Sequence, residues 1–152
     1  MNKVYPTAII TTQTETHLGD QSVIGDFVLI HCRQFSLGYG SQINAGAKIV
    51  GGGDCIVGER SVIGYNAVLL TRSDTPKSDY MSDSMPENRR AIRSGTITIG
   101  DQAFVGSNTV IMPGVTVGDG ACVGAGSYVD KDVPEWTILI PKQHHLFYQR
   151  KK

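Results

Sequence analysis

The stretch ITIGDQAFVGSNTVIMPGVTVGDGACVGAGSYVDKDVP, residues 97–134, has an aliphatic side chain at every sixth position from its third residue onward. These positions are Ile99, Val105, Ile111, Val117, Val123 and Val129. An α-helix repeats every 3.6 residues and a half-buried strand every two, so neither produces this spacing. A period of six is typical of a β-helix, in which each hexad forms one short strand and one corner.

The same spacing continues upstream with shifts of phase. The aliphatic residues there are Leu18, Ile24, Ile30, Leu37, Ile43, Ile49, Val57, Ile63 and Leu69. Grouping the hexads in threes gives coils at residues 18–30, 37–49, 57–69, 99–111 and 117–129, and puts the three insertions between them at one corner of the triangle. A corner tolerates insertions because it need not pair with neighbouring layers. We therefore predict an all-β protein, a parallel β-helix of about five coils, and disfavour a β-sandwich, which has no reason to keep this phase.

The pattern predicts one domain, residues 1–152. Residues 18–74 and 97–133 form the coils, and residues 75–96, which lack the period, form a long corner loop. Residues 1–17 are a lead-in to the coils or a partial first coil. Residues 134–152 are a cap and tail, in which Trp136 and residues 138–140 are suited to cover the open core, with a short helix after His144.

Composition excludes several functions. The net charge is zero at pH 7, and no basic stripe interleaved with aromatics appears, so nucleic acid is not an expected partner. Residues 1–14 contain only a three-residue apolar run, so neither a signal peptide nor membrane insertion is expected. Cys32, Cys55 and Cys122 form no metal or disulfide spacing, and a reducing cytoplasm is the simplest compartment.

The repeat, the corner loop and two short motifs together resemble the hexapeptide-repeat acetyltransferases. The motifs are Pro113-Gly-Val115 and Val123-Gly-Ala-Gly-Ser127 followed by Lys131-Asp-Val-Pro134. The similarity is strongest to galactoside and maltose O-acetyltransferases and to sugar acetyltransferases of O-antigen and capsule clusters. The resemblance implies a left-handed β-helix, a homotrimer with each active site between two subunits, acetyl-CoA as acyl donor, no metal, and a sugar or nucleotide-sugar acceptor.

The resemblance also implies three catalytic candidates. Family members carry a histidine base five residues after the last aliphatic before the loop, and this sequence has Asp74 there. Asp74 acts as the base if burial raises its pKa; otherwise it orients the acceptor or only makes a turn. His31, on the same face two coils away, is a substitute base or a solvated corner residue. Asn44 corresponds to the asparagine that the neighbouring chain supplies, or is a corner residue with a left-handed backbone.

For the acyl donor, the resemblance assigns a set of groove residues. Small side chains let backbone amides approach the cofactor, and basic groups attract its phosphates. The set is Phe104, Gly106, Ser107, Ala125, Gly126, Lys131, Lys142 and His145.

Several alternatives stay open at this point. The missing loop histidine makes N-acetylation of an amine more plausible, because an amine is the better nucleophile. A non-catalytic β-helix scaffold and a zinc enzyme similar to β-helical carbonic anhydrases are the other readings. The zinc reading needs three histidines on facing coils, and two of the four histidines here lie in the tail.

Overall fold

The computed structural model describes residues 1–142, in which short parallel strands form the three walls of a β-helix. Wall A contains β1 (Lys3–Val4), β4 (Val23–Ile24), β7 (Gln42–Ile43), β10 (Val62–Ile63), β15 (Phe104–Val105), β18 (Cys122–Val123) and β20 (Ile138–Leu139). Wall B contains β2 (Ile9–Ile10), β5 (Leu29–His31), β8 (Lys48–Val50), β11 (Val68–Leu70), β16 (Val110–Ile111) and β19 (Tyr128–Val129). Wall C contains β3 (Glu15–Leu18), β6 (Gln34–Leu37), β9 (Asp54–Val57), β14 (Ile97–Ile99) and β17 (Thr116–Val117).

The predicted fold class is confirmed by the register of the walls. Ile24 pairs with Ile43, Ile43 with Ile63, and Ile63 with Val105, so equivalent aliphatic positions stack in columns. All of the fifteen predicted aliphatic positions are buried except Leu18, which is partly exposed and packs against the core. The hexad period therefore reports a core of stacked layers.

The β-helix has more turns than the predicted five. Wall A has seven strands, which corresponds to about seven turns. Residues 3–18 form a full turn rather than a lead-in, because their strands pair in register with those of the next turn. At the other end β20 pairs with β18, and Val133 forms a bridge with Val117.

The residues predicted as a cap behave differently from one another. Leu139 packs against the core, whereas Trp136, Ile138 and Ile140 are exposed. The prediction that these three side chains cover the core is therefore wrong, because the segment continues wall A and points alternate side chains outward. The predicted helix after His144 lies outside the described residues.

Within residues 1–142, the insertions into the repeat fall at one corner, as predicted. We call the corner between walls B and C corner BC, and that between walls A and B corner AB. His31 pairs with Val50, and Val50 with Leu70, so the walls keep register up to the insertions. The long loop begins and ends as an antiparallel pair, β12 (Arg72–Asp74) with β13 (Ile92–Ser94), and includes a 3-10 helix at Glu87–Arg89.

Within residues 1–142, no helix has both the length and the apolar character that crossing a bilayer requires.

One substitution made at two sites tests whether the columns stabilise the fold. Ile43→Ala removes a side chain that is 0% exposed and is expected to lower the free energy of unfolding by about 2–5 kcal/mol. Ile56→Ala makes the same change on wall C, where the side chain is 47% exposed, and is expected to cost less than about 1 kcal/mol. Denaturant unfolding of both variants measures the difference, and equal losses would contradict the assignment of the inward column.

Candidate functional site

A cleft opens at corner BC, beside the long loop. Its volume is about 680 Å³. His31 and residues 51–52 line it from the coils, and β12 with the loop residues Asp83, Glu87 and Arg90 lines it from the other side. The structure thus brings the candidates His31 and Asp74 to one cleft.

Asp74 is held by an ion pair that sequence reasoning missed. Arg90 donates from Nε to Oδ1 of Asp74 at 2.8 Å and from Nη2 to Oδ2 at 2.5 Å. The Asp74 side chain is 16% exposed and the Arg90 side chain is 8% exposed. Arg90 Nη2 also donates to the exposed Asp83 at 2.7 Å. A bidentate pair of this kind fixes the relative orientation of the guanidinium and the carboxylate. It also connects Arg90 of the loop to β12, the strand from which the loop starts.

The ion pair sets the charge of Asp74. The hydrogen bonds from Arg90 hold the pKa of the Asp74 carboxyl below its ordinary value, against the opposing effect of burial. The same contacts raise the pKa of the Arg90 guanidinium. Asp74 was expected to serve as a base only if burial raised its pKa, and the direction found is the opposite one.

The opposite side of the cleft carries His31, at the end of β5. Its Nδ1 lies 3.2 Å from Oγ1 of Thr11, which follows β2 in the adjacent turn. No other hydrogen bond of the ring is present among residues 1–142. His31 is exposed, so its ring is accessible from the cleft.

Glycine forms the cleft floor for a geometric reason. Gly51 has a φ of +125°, a conformation that side chains rarely adopt. A Cβ at this position would also lie 2.5 Å from both the amide nitrogen of Arg72 and Oγ1 of Thr71. Gly51 therefore lets the loop leave the solenoid directly over the preceding turn.

Asn44 lies away from this cleft, at corner AB. Wall B separates the two corners within one chain, so Asn44 reaches the His31 cleft only in an assembly of chains. Asn44 is not among the residues of positive φ; the left-handed position of its corner is Gly46, with φ +75°. The alternative explanation of Asn44 as a left-handed corner residue is therefore wrong.

Five of the candidate cofactor residues come together at corner AB. Gly106 and Ser107 lie on one turn and Ala125 and Gly126 on the next, joined by a hydrogen bond of 2.9 Å from the Gly126 amide to the Ser107 carbonyl. Ala125 and Gly126 are exposed, and a Cβ at Gly126 would meet no atom within 4 Å. Phe104 is exposed on wall A next to them. The backbone of Ala125 and Gly126 is therefore open at this corner, whereas Gly106 is buried beneath Ala125.

The basic candidates Lys131 and Lys142 lie at two different corners. Lys131 lies at corner BC, in a smaller cleft of about 360 Å³ that residues 128–134 and 137–139 line. Lys142 is exposed beyond β20. His145 lies outside the described residues. Within one chain, Lys142 therefore lies at the same corner as the predicted pantetheine contacts, where Pro141 packs against Gly124, whereas Lys131 lies at a different corner.

Two of the three cysteines, Cys32 and Cys55, lack the properties of nucleophiles. Cys32 and Cys55 are buried. Burial, reinforced by the charge of Asp54, raises the pKa of the Cys32 thiol to about 11, and burial raises that of Cys55 further. Both are protonated near neutral pH, whereas the thiolate is the reactive form.

The described part of the chain offers no cluster of metal ligands. Among residues 1–142, no three His, Cys, Asp or Glu side chains lie together in an arrangement that could hold a metal ion. His17 lies on wall C and His31 on wall B.

Known proteins share the repeat and the fold. Residues 96–131 match the family described as bacterial transferase hexapeptide (six repeats). YvoF of Bacillus subtilis (strain 168), which carries a provisional acetyltransferase name, is 34% identical over 96 residues, covering 63% of this chain and 48% of YvoF. The chain thus spans about half the length of that relative.

Two solved structures superimpose on most of the chain. AntD, an N-acyltransferase from Bacillus cereus in complex with dTDP and 3-hydroxybutyryl-CoA, has a TM-score of 0.75 at 20% identity, covering 90% of this chain and 76% of AntD. At that identity the likeness is one of fold. A galactoside acetyltransferase in complex with coenzyme A has a TM-score of 0.52 at 26% identity, covering 90% of this chain and 58% of that protein. The predicted resemblance to hexapeptide-repeat transferases is confirmed.

Acidification is expected to loosen the loop. The folded pKa of Asp74 lies below the ordinary value of ~3.9, so the ion pair stabilises the fold fully above that value and is lost as pH falls through the folded pKa. Hydrogen exchange between pH ~5 and ~2 should show falling protection of the amides of Thr75 and Gly95, which bond to Ala91 and Thr71 carbonyls across the loop base.

The Val110 amide, inside wall B, is the internal reference and should keep its protection through the same range. Asp74→Asn should show low loop protection already at neutral pH. Wild-type protection that remains constant to pH ~2 would contradict the anchoring role of the pair.

Proposed function

Because residues 96–131 carry the repeat of bacterial transferases, we propose that this chain is a coenzyme-A-dependent acyltransferase. It transfers an acetyl or related acyl group to a hydroxyl or amino group of a sugar or nucleotide-sugar. The observation that supports this most directly is the cleft at corner BC, which combines an exposed imidazole, a charged loop and open glycine backbone. Two proteins of the same fold, AntD and the galactoside acetyltransferase, were solved with acyl-CoA or coenzyme A.

The reaction proceeds by direct transfer within a ternary complex. The acceptor oxygen or nitrogen attacks the thioester carbonyl, a C–O or C–N bond forms, and the C–S bond breaks to release coenzyme A. The proton of the acceptor passes to a base in the cleft, and backbone amides stabilise the developing oxyanion. No acyl-enzyme forms in this proposal, since among residues 1–142 no serine or cysteine side chain forms a hydrogen bond with a histidine.

Asp74 acts here by ordering the site rather than by taking a proton. With Arg90 bound to both of its oxygens, its carboxylate has little basicity to offer at neutral pH. It holds Arg90, and Arg90 in turn holds Asp83 at the mouth of the cleft. His31 is then the remaining candidate base.

The active unit is a homotrimer. The outward faces of walls A and B carry apolar side chains, whereas wall C presents mostly polar ones. The apolar outward residues include Ile9, Leu29, Val68, Val110 and Tyr128 on wall B and Val23, Val62 and Phe104 on wall A. Covering these faces with copies of the chain around a threefold axis stabilises both and closes the assembly. Asn44 and the small residues of corner AB then complete the cleft of a neighbouring chain.

The direct test combines binding with product detection. Coenzyme A, which binds the native state, should raise the thermal midpoint of the protein, and acetyl-CoA with a panel of hydroxyl and amino nucleotide-sugars should give one acylated product by mass spectrometry. Coenzyme A that leaves the midpoint unchanged would favour a non-catalytic scaffold instead. Light scattering of the same sample tests the trimer.

Ala125→Trp is expected to weaken coenzyme A binding by at least about tenfold, because the indole fills the open backbone at corner AB. Glu59→Trp is the matched control. It introduces the same side chain at the same position of a hexad, two residues after the aliphatic Val57, but at the corner between walls C and A. Calorimetry should find that Glu59→Trp binds coenzyme A with an affinity close to that of wild type. Equal coenzyme A affinities in the two variants would mean that the cofactor lies elsewhere.

A further inference from the structure

Two threonine hydroxyls of the first turn connect His31 to the buried backbone. Nδ1 of His31 lies 3.2 Å from Oγ1 of Thr11, and this oxygen lies 3.0 Å from Oγ1 of Thr14. Oγ1 of Thr14 lies 2.8 Å from the carbonyl oxygen of Cys32 and accepts a hydrogen bond of 3.2 Å from the Cys32 amide. Thr14 and Cys32 are buried, so this end of the chain of contacts is fixed by the solenoid.

The direction of every hydrogen bond in this chain follows from its buried end. A carbonyl oxygen only accepts, so the single hydroxyl proton of Thr14 is donated to the carbonyl oxygen of Cys32. The Thr14 oxygen therefore accepts a hydrogen bond from the Thr11 hydroxyl, which donates its only proton there. The Thr11 oxygen has only lone pairs left for His31, so the proton of that contact belongs to Nδ1 of the imidazole.

We infer that Thr11 and Thr14 hold His31 as the Nδ1–H tautomer, so that the Nε2 lone pair serves as the general base of the cleft. The inference rests on the proposed function. As the acceptor attacks the thioester, its proton passes to Nε2, and the imidazolium then returns the proton to the departing coenzyme A thiolate. His31 ends neutral and the next cycle begins. Thr11 and Thr14 are positioning residues, because they act through the ring and do not touch the substrate.

The acidic and basic side chains that line the cleft form ion pairs with one another. Asp74 and Asp83 both accept from Arg90, and Glu87 accepts from Arg72. Each of these carboxylates faces a guanidinium. Among the titratable side chains that line the cleft, the imidazole of His31 is the one that forms no ion pair within residues 1–142.

The tautomer is measured directly by nitrogen-15 NMR of labelled protein, with the His31 signals assigned by comparison with His31→Gln. Wild type at a pH where the ring is neutral should show a protonated Nδ1 and an unprotonated Nε2. Thr11→Val removes the acceptor and should give signals of a tautomer mixture. Thr11→Ser restores the hydroxyl and should restore the wild-type pattern. A wild-type ring protonated on Nε2 would overturn the inference.

Kinetics tests the use of that lone pair. His31→Gln should lower kcat/KM by roughly 10²–10⁴-fold, and Thr11→Val by at least about tenfold, with Thr11→Ser close to wild type. Thr116→Val is the matched control: it makes the same change at an exposed residue of wall C, and the variant should retain full activity and the wild-type His31 signals.

The two readouts separate the inference from the function it rests on. NMR needs no substrate, so an Nδ1–H ring in a protein that acylates nothing refutes the proposed function and leaves the hydrogen-bond assignment standing. If acyl transfer occurs and His31→Gln keeps the wild-type rate, the acyltransferase function stands and His31 is not its base. If Thr11→Val changes neither the signals nor the pH–rate profile, Thr11 does not set the tautomer.

Discussion

Parallel pairing between successive turns is the constraint on which the rest of this molecule depends. Each strand is only two to four residues long, so it is stable only with an equivalent strand above and below it. The inward aliphatic of one turn must then lie over that of the next, as Ile43 lies between Ile24 and Ile63. Any extra residue within a wall would move every later side chain out of its column.

This constraint decides where a binding site can be built. Extra residues leave the solenoid at corner BC, between the end of wall B and the start of wall C. Because the insertions fall on successive turns, they stack beside one another, and the small ones expose His31 and Gly51 where the large one supplies β12 and the loop. The cleft is thus formed by local departures from the repeat. It keeps a fixed geometry because the walls on both sides remain in register.

The sequence allowed the fold and the position of the cleft to be predicted, because both follow from spacing. The six-residue period predicts the columns of inward aliphatic side chains. The extra residues after Ile30, Ile49 and Leu69 predict the corner at which the cleft forms. The placement of His31 and Asp74 at one corner was predicted in the same way. The extra turn at residues 3–18 was underestimated because its strands carry few deeply buried residues, with Leu18 only partly covered.

The partners of the candidate residues could not be predicted, because side-chain pairing within a loop has no period. Nothing in the spacing of Asp74 and Arg90, 16 residues apart, indicates a bidentate ion pair. The contact between Thr11 and His31, 20 residues apart, also has no motif of its own. The turn length is the one signal that could have been used: it pairs Ile10 with Ile30 and so makes Thr11 the neighbour of His31.

The candidate site combines two kinds of polar contact from two parts of the fold. The loop carries exchangeable surface ion pairs, such as that between Arg72 and the exposed Glu87, and its contacts depend on ionisation. The imidazole instead takes its orientation from hydroxyls anchored in a buried backbone segment, whose hydrogen bonds do not titrate near neutral pH. In a solenoid, where each turn contacts only its neighbours, this separation follows directly, because Thr11 lies three turns from Asp74.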